Sequence, residues 1–183
     1  PAEHPDFEDY FSSKLRIFDQ THVAAVNLDM DRADETLAHA RACRHLLAFS
    51  AKGPTTQGTP DIWAGDVRPT GAGIHFVAHT PSWEEELFLS MPGLFNVENA
   101  LGAIAACEAL GVGQRQVREG LAHTRVPGRM ELLTTSSPKI TGIVDYAHNK
   151  LSYQRFFSSL SKEFPNCEII AVFGAPGGKA FER

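Results

Sequence analysis

Six polar side chains in this 183-residue sequence sit where position adds to chemistry: His4, Lys14, Asn99, Arg129, Asp145 and His148. Lys14 shares helical spacing with Phe7, Phe11 and Phe18, which places it near the centre of an apolar stripe rather than on a solvated face. Burial there favours the neutral amine. Such an amine is nucleophilic and takes up carbon dioxide to form a carbamate, an anionic oxygen ligand suited to Mg2+. The plainer alternative is a lysine that runs its ammonium past the aromatic edge into water. His4, in the segment before the stripe, is either a loop histidine or a metal ligand.

Asn99 shares a helical face with Gly102, Ala103 and Ala106, whose small side chains let a flat group or a neighbouring backbone approach. Its amide carries a donor and an acceptor, as reading the edge of adenine requires, although tight helix packing explains the small residues equally well. Asn96 is placed to cap that helix. Asp145 closes the apolar run ITGIVD. In open α/β sheets, ligands sit outside the carboxyl ends of strands, where a carboxylate accepts hydrogen bonds from a ribose diol. Asp145 or Asn149 equally suits the cap of the following helix, and for Asn149 the cap is the preferred reading. His148 is a phosphate-facing candidate, and Arg129 in VPGRMELL has the reach to meet a phosphate across a domain cleft. The segment GAPGGK approaches a P-loop, but Phe173 stands where the first glycine belongs and Ala180 where Mg2+ needs a hydroxyl. No Walker A motif is present in the 183 residues.

Residues of about 6–19 read as an amphipathic helix, followed by the strand HVAAVNLDM, a helix over about 33–43 and the strand HLLAFSA, a parallel βαβ unit. From 53 to 92, Gly, Pro and Thr turns separate IWAGDV, GIHFVAH and EELFLS, which predicts a small antiparallel β insertion. Two helices follow, NVENALGAIAACEALGV and residues 114–122. The run TTSSP at 134–138 is the expected linker. A second βαβ unit is then predicted from ITGIVDYA, a helix over 151–164 and EIIAVFG. It is too small to stand alone.

A net charge of −5 with scattered cations argues against nucleic-acid binding, which needs a basic face. No apolar run is long enough to span a bilayer, so the expectation is a cytoplasmic protein with no membrane association. Cys43, Cys107 and Cys167 form neither a disulfide framework nor a zinc site and read as small apolar residues.

In order along the chain, HPDFEDYFSSK, GLFNVENALGAIAA, PGRMEL and VDYAHN resemble the consecutive motifs of the Mur ligase family. The wording is most similar to the branch that adds L-lysine or diaminopimelate to UDP-N-acetylmuramoyl-L-alanyl-D-glutamate. The resemblance implies an α/β fold: the latter part of a P-loop-type central ATPase domain over 1–132, then the start of a Rossmann-like C-terminal domain over 133–183. It assigns Lys14 to the carbamylated lysine that supports Mg2+ and leaves His4 as a further metal-site candidate. It assigns Asn99 to adenine, Arg129 to the interdomain phosphates and Asp145 to ribose, while His148 stays a catalytic candidate on its position alone. ATP and Mg2+ are the implied cofactors, and a UDP-muramoyl peptide and an amino acid the implied partners. The P-loop half of the same protein is an implied partner too, so the chain alone is expected to be inactive. The implied reaction activates a peptide carboxylate with the γ-phosphate of ATP before an amine attacks. A folylpolyglutamate synthase-like ligase and a non-catalytic nucleotide-binding module are the alternatives.

Overall fold

The structure, a computed structural model, describes residues 4–54, 59–133, 136–137 and 139–174. Its first helix, α1 (Phe7–Leu15), starts at Asp6, whose carboxylate accepts the Asp9 backbone N–H at 2.8 Å. That bond satisfies one of the free donors of the first turn. A 3-10 turn (Arg16–Asp19) continues it. Strand β1 (Val23–Asn27), helix α2 (Ala33–Ala40) and strand β2 (His45–Ser50) then form the expected parallel βαβ unit.

The three strands that follow are β3 (Ile62–Thr70), β4 (Gly73–His79) and β5 (Glu84–Leu89), paired antiparallel as the turn spacing predicts. They are not a separate insertion. Phe49 and Ser50 of β2 align in parallel with Ile62 and Trp63 of β3, so one five-stranded sheet runs β1-β2-β3-β4-β5. The physical reason lies in the core. Ile62, Ile74, Phe76, Leu87 and Leu89 alternate inward along β3 to β5 and share one apolar cluster with Phe49 of β2. Gly73 is required at the β4 start because an added Cβ would lie 2.2 Å from the Leu89 carbonyl oxygen.

Helix α3 (Asn96–Ala109) covers β1, β2 and β3, while α4 (Gln114–His123) covers β5. Val97, Leu101, Ile104 and Ala105 form the buried stripe of α3, the i, i+4, i+7, i+8 pattern of a helix on a sheet. Gly102 does not join Asn99 at an open face. It lets the Phe49 ring approach, 3.3 Å from where a Cβ would stand, so helix packing accounts for this glycine. On the far side, Ala24 and Val26 of β1 pack with Ala40, Leu37 and Phe18.

The remainder departs further from its sequence pattern. β6 (Glu131–Leu133) pairs antiparallel with β7 (Gly142–Val144), a short hairpin across the expected linker, of which only 136–137 are described. Helix α5 (Lys150–Glu163) follows, capped by Asn149 in a reciprocal box with Ser152, as preferred from sequence. EIIAVFG forms no strand: Ile170 and Val172 are 84% and 95% exposed. A parallel strand there needs a hydrogen-bonding neighbour, and among the described residues β7 is paired only with β6. Apart from Gly174, GAPGGK lies outside the described residues. Cys43 and Cys107 pack against the two apolar clusters, whereas Cys167 is exposed and is no core residue.

Candidate functional site

Four of the six singled-out residues share one cleft. Asn99, Arg129, Asp145 and His148 line a cavity of about 600 Å³ between the start of α3, the turn before β6 and the segment from β7 into α5. Leu89, Met91 and Phe95 supply apolar wall. This is the size and character of a small-molecule site, mostly apolar with a few convergent polar groups.

The polar groups are held by backbone. One Asp145 carboxylate oxygen accepts the Met130 N–H at 2.9 Å and the other the Ala147 N–H at 2.8 Å, so this side chain ties the Arg129 turn to the end of β7. Met130 is buried and carries a positive φ of 46°, a conformation that such bracing maintains. Each oxygen keeps a second lone pair for another donor. The Arg129 guanidinium lies 5.5 Å from the centre of the Tyr146 ring. His148 Nδ1 is 2.8 Å from the Tyr146 carbonyl oxygen, which only accepts, so Nδ1 donates.

Asn96 is not the cap of α3. That place is Phe95, and Asn96 turns back to donate its Nδ2–H to the Pro92 carbonyl oxygen at 2.6 Å. The fixed carbonyl decides the orientation of this buried amide, because only its nitrogen can face an acceptor. Its Oδ1 then accepts from Asn99 Nδ2 at 3.0 Å.

His4 and Lys14 lie apart from this cleft, on and before α1. His4 Nδ1 meets Asp9 Oδ2 at 2.6 Å, and its ring centre is 5.4 Å from that of Tyr10. The Lys14 Nζ is also 5.4 Å from the Tyr10 ring centre, so both residues flank one aromatic side chain. The expected burial of Lys14 is not found. Its side chain is exposed, because Phe11 and Leu15 are the α1 residues turned inward and Lys14 sits at the edge of that stripe. Among the described residues no three His, Cys, Asp or Glu side chains gather as a metal cluster.

Sequence reasoning missed the groups that lock this arrangement. Arg32, at φ 58°, holds Glu8 of α1 and Glu35 of α2 and lies 4.1 Å from the Phe11 ring centre. Both carboxylates hold its guanidinium above the ordinary arginine value, Glu8 most. Glu98 of α3 accepts from Asn27 at the end of β1 and from Arg155 of α5, each at 3.3 Å. Glu163, in the last turn of α5, accepts the backbone N–H groups of Gly93 and Leu94 at 2.8 and 3.0 Å. A carboxylate at a helix C-terminus opposes the macrodipole, and that anomaly was the signal available in the sequence.

Burial raises the Glu163 pKa above the ordinary glutamate value of 4.5, outweighing the two N–H bonds that lower it. The folded state therefore binds this proton more tightly than the unfolded chain, and the group's contribution to stability falls as pH rises from about 4.5 through the raised value. Denaturant titrations across that window should show a steeper decline for the wild type than for Glu163→Gln. Parallel curves would rule the contribution out.

Comparison with known proteins supplies the context. Residues 2–107 match the Mur ligase middle domain and residues 128–183 the Mur ligase, glutamate ligase domain. The UDP-N-acetylmuramyl-tripeptide synthetase of Lactobacillus delbrueckii subsp. bulgaricus is 32% identical, over 99% of this chain and 37% of that protein. The UDP-N-acetylmuramoyl-L-alanyl-D-glutamate–L-lysine ligase of Streptococcus agalactiae is 34% identical, over 100% of this chain and 35% of its own length. A solved UDP-N-acetylmuramoyl-L-alanyl-D-glutamate–2,6-diaminopimelate ligase superposes with a TM-score of 0.72 at 27% identity, over 97% of this chain and 36% of that one. The chain thus spans about a third of the length of these relatives. With two consecutive domains of one family matched in order, and the fold of a solved member, this chain belongs to the Mur ligase family.

Proposed function

We propose that the cleft seats the nucleoside of ATP in an ATP-dependent ligase that adds L-lysine or diaminopimelate to UDP-N-acetylmuramoyl-L-alanyl-D-glutamate in peptidoglycan synthesis. The observation that carries this reading is the convergence of Asn99, Arg129, Asp145 and His148 on one cavity of nucleotide size. Residues 1–132 are then the latter part of the central ATP-binding domain, and 133–183 the first unit of the C-terminal ligase domain. A cytoplasmic location accords with the absence, among the described residues, of any helix long and apolar enough to cross a membrane.

The residues fit the nucleotide in chemistry. Leu89, Met91 and Phe95 offer apolar contact to a base, the Asn99 amide its polar edge, and Asp145 free lone pairs to ribose hydroxyls. Arg129 supplies a cation toward the phosphates, and His148 lines the same cavity. When bound, ATP supplies the phosphoryl group that activates the peptide carboxylate. The part of these side chains is to bind, orient and offset charge. Lys14, as a carbamate, and His4 are the residues that would hold Mg2+, and their shared position on Tyr10 supports that pairing.

Asn99→Ala should weaken ATP binding about two- to tenfold, the loss of a hydrogen bond between neutral partners. Asp145→Ala should weaken it about ten- to a hundredfold, because a charged acceptor is lost and the Met130 and Ala147 N–H groups are left unpaired. Calorimetric titration of ATP into each variant checks this. Wild-type affinity in both would end the nucleotide reading.

A further inference from the structure

The three bonds around Asn96 and Asn99 form a directed chain. The Pro92 carbonyl requires an N–H from Asn96, which leaves Asn96 Oδ1 to accept from Asn99 Nδ2. One Asn99 amide proton is thereby engaged, which leaves Oδ1 as the acceptor that this cleft-lining residue can offer a ligand. Such an acceptor matches an exocyclic amino group, whereas a carbonyl in that place would face oxygen with oxygen. The polarity of Asn99 is set by the backbone of the 92–94 turn, not by the ligand.

That turn is held from another part of the protein. Glu163, two turns along α5 from the cleft-lining Arg155, receives the Gly93 and Leu94 N–H groups, one on each carboxylate oxygen. The turn then closes on itself, with Asn96 N–H donating to the Gly93 carbonyl at 2.7 Å and Val97 N–H to that of Leu94 at 3.2 Å. Gly93 adopts φ +93°, and an added Cβ would lie 2.9 Å from Met130 Cγ and 3.1 Å from Asn96 Nδ2, so the turn requires glycine there.

We propose that Glu163 and Asn96 are positioning residues that fix the polarity of the Asn99 amide, so that the cleft selects a 6-amino purine over a 6-oxo purine. The proposal rests on the nucleotide reading of the cleft. It also makes base selection depend on the docking of α5, since the carboxylate that holds the 92–94 turn belongs to that helix. Without the Glu163 contact the turn relaxes, the Asn96–Asn99 pair loosens, and the Asn99 amide rotates to offer its NH2 to a 6-oxo group.

The test compares ATP with inosine triphosphate on the isotope-labelled 183-residue chain, by NMR titration, for wild type, Glu163→Ala, Glu163→Gln and Asn99→Ala. The wild type should favour ATP about tenfold, and Glu163→Ala should reduce that preference to about twofold, mainly by binding inosine triphosphate better. Glu163→Gln, with one carbonyl oxygen in place of two carboxylate oxygens, should fall between. Without nucleotide, the Asn99 side-chain amide protons should exchange slowly with solvent in the wild type and faster in both Glu163 variants. If Glu163→Ala does not fold, the preference and exchange rates of Glu163→Gln decide. Unchanged preference in the Glu163 variants, with the preference lost in Asn99→Ala, overturns the role of Glu163 and leaves the cleft reading intact. Equal binding of both nucleotides by the wild type, or binding of neither, overturns the proposal together with the reading beneath it.

Discussion

Lys14→Ala in the full-length ligase carrying this sequence should lower amide formation by about 10²–10³-fold, the scale of removing one preorganised charge-stabilising group. The amine nitrogen bonds to the carbon of carbon dioxide and its proton passes to solvent, which leaves a carboxylate at the end of the lysine chain. On the proposed reading that carboxylate would be a ligand for Mg2+, which when bound would offset charge on the phosphoryl group. In the 183-residue chain Lys14 is exposed and its Nζ lies 5.4 Å from the Tyr10 ring centre. The same exposure makes the experiment clean. In the 183-residue chain alanine is the better helix former and nothing buried is lost, so Lys14→Ala in that chain should keep the wild-type melting temperature. A short carboxylic acid added to Lys14→Ala should enter the vacated space and restore part of the rate. Near-normal turnover without it would eliminate the carbamate.

The 183-residue chain by itself should release no phosphate from ATP above background when given Mg2+, UDP-muramoyl-dipeptide and L-lysine. Phosphoryl transfer depends on positioning and charge neutralisation, which in P-loop enzymes come from backbone amides, a lysine and a Mg2+-binding hydroxyl around the β- and γ-phosphates. GAPGGK lacks the first glycine and the hydroxyl. The cleft residues are suited to the nucleoside end, and none replaces a γ-phosphate cradle. Turnover that survives repurification and disappears in Lys14→Ala would show that these residues carry a complete phosphoryl-transfer site.

Much of this arrangement was legible in the residues. Phe11, the β1-α2-β2 alternation and the turn-separated strands carry their periods openly, because these apolar positions face a core within the same chain, whereas Phe7 of the expected stripe is 60% exposed. What escaped has a common cause, which is that local pattern does not name the partner. Helical spacing placed Lys14 beside aromatic residues, but the Phe11–Leu15 stripe turns inward at an angle that leaves the lysine at its edge. EIIAVFG has the composition of a strand and no neighbour to bond it. Asn96 has the residue type of a cap, yet the chain enters α3 through Phe95 and the amide reaches backward to Pro92 instead. The β3–β5 meander looked separate because turn spacing reports local hairpins, while the β2–β3 pairing that joins the sheets spans a Gly- and Thr-containing connection.

The cleft residues Asn99, Arg129, Asp145 and His148 were found by type and position, and the fold brings all four to one cavity. The carboxylates that organise it, Glu98 and Glu163, were not. Their partners are a guanidinium on another helix and two backbone N–H groups far along the chain, and no spacing rule reports such contacts.

The most direct test of the central claim is a crystal structure of the chain with a non-hydrolysable ATP analogue. The account predicts the purine against Leu89, Met91 and Phe95 with its amino group at the Asn99 Oδ1, the ribose hydroxyls at Asp145, and the phosphates directed toward Arg129. An analogue bound elsewhere, or seated in the cleft with its base away from Asn99 and its ribose away from Asp145, would contradict it.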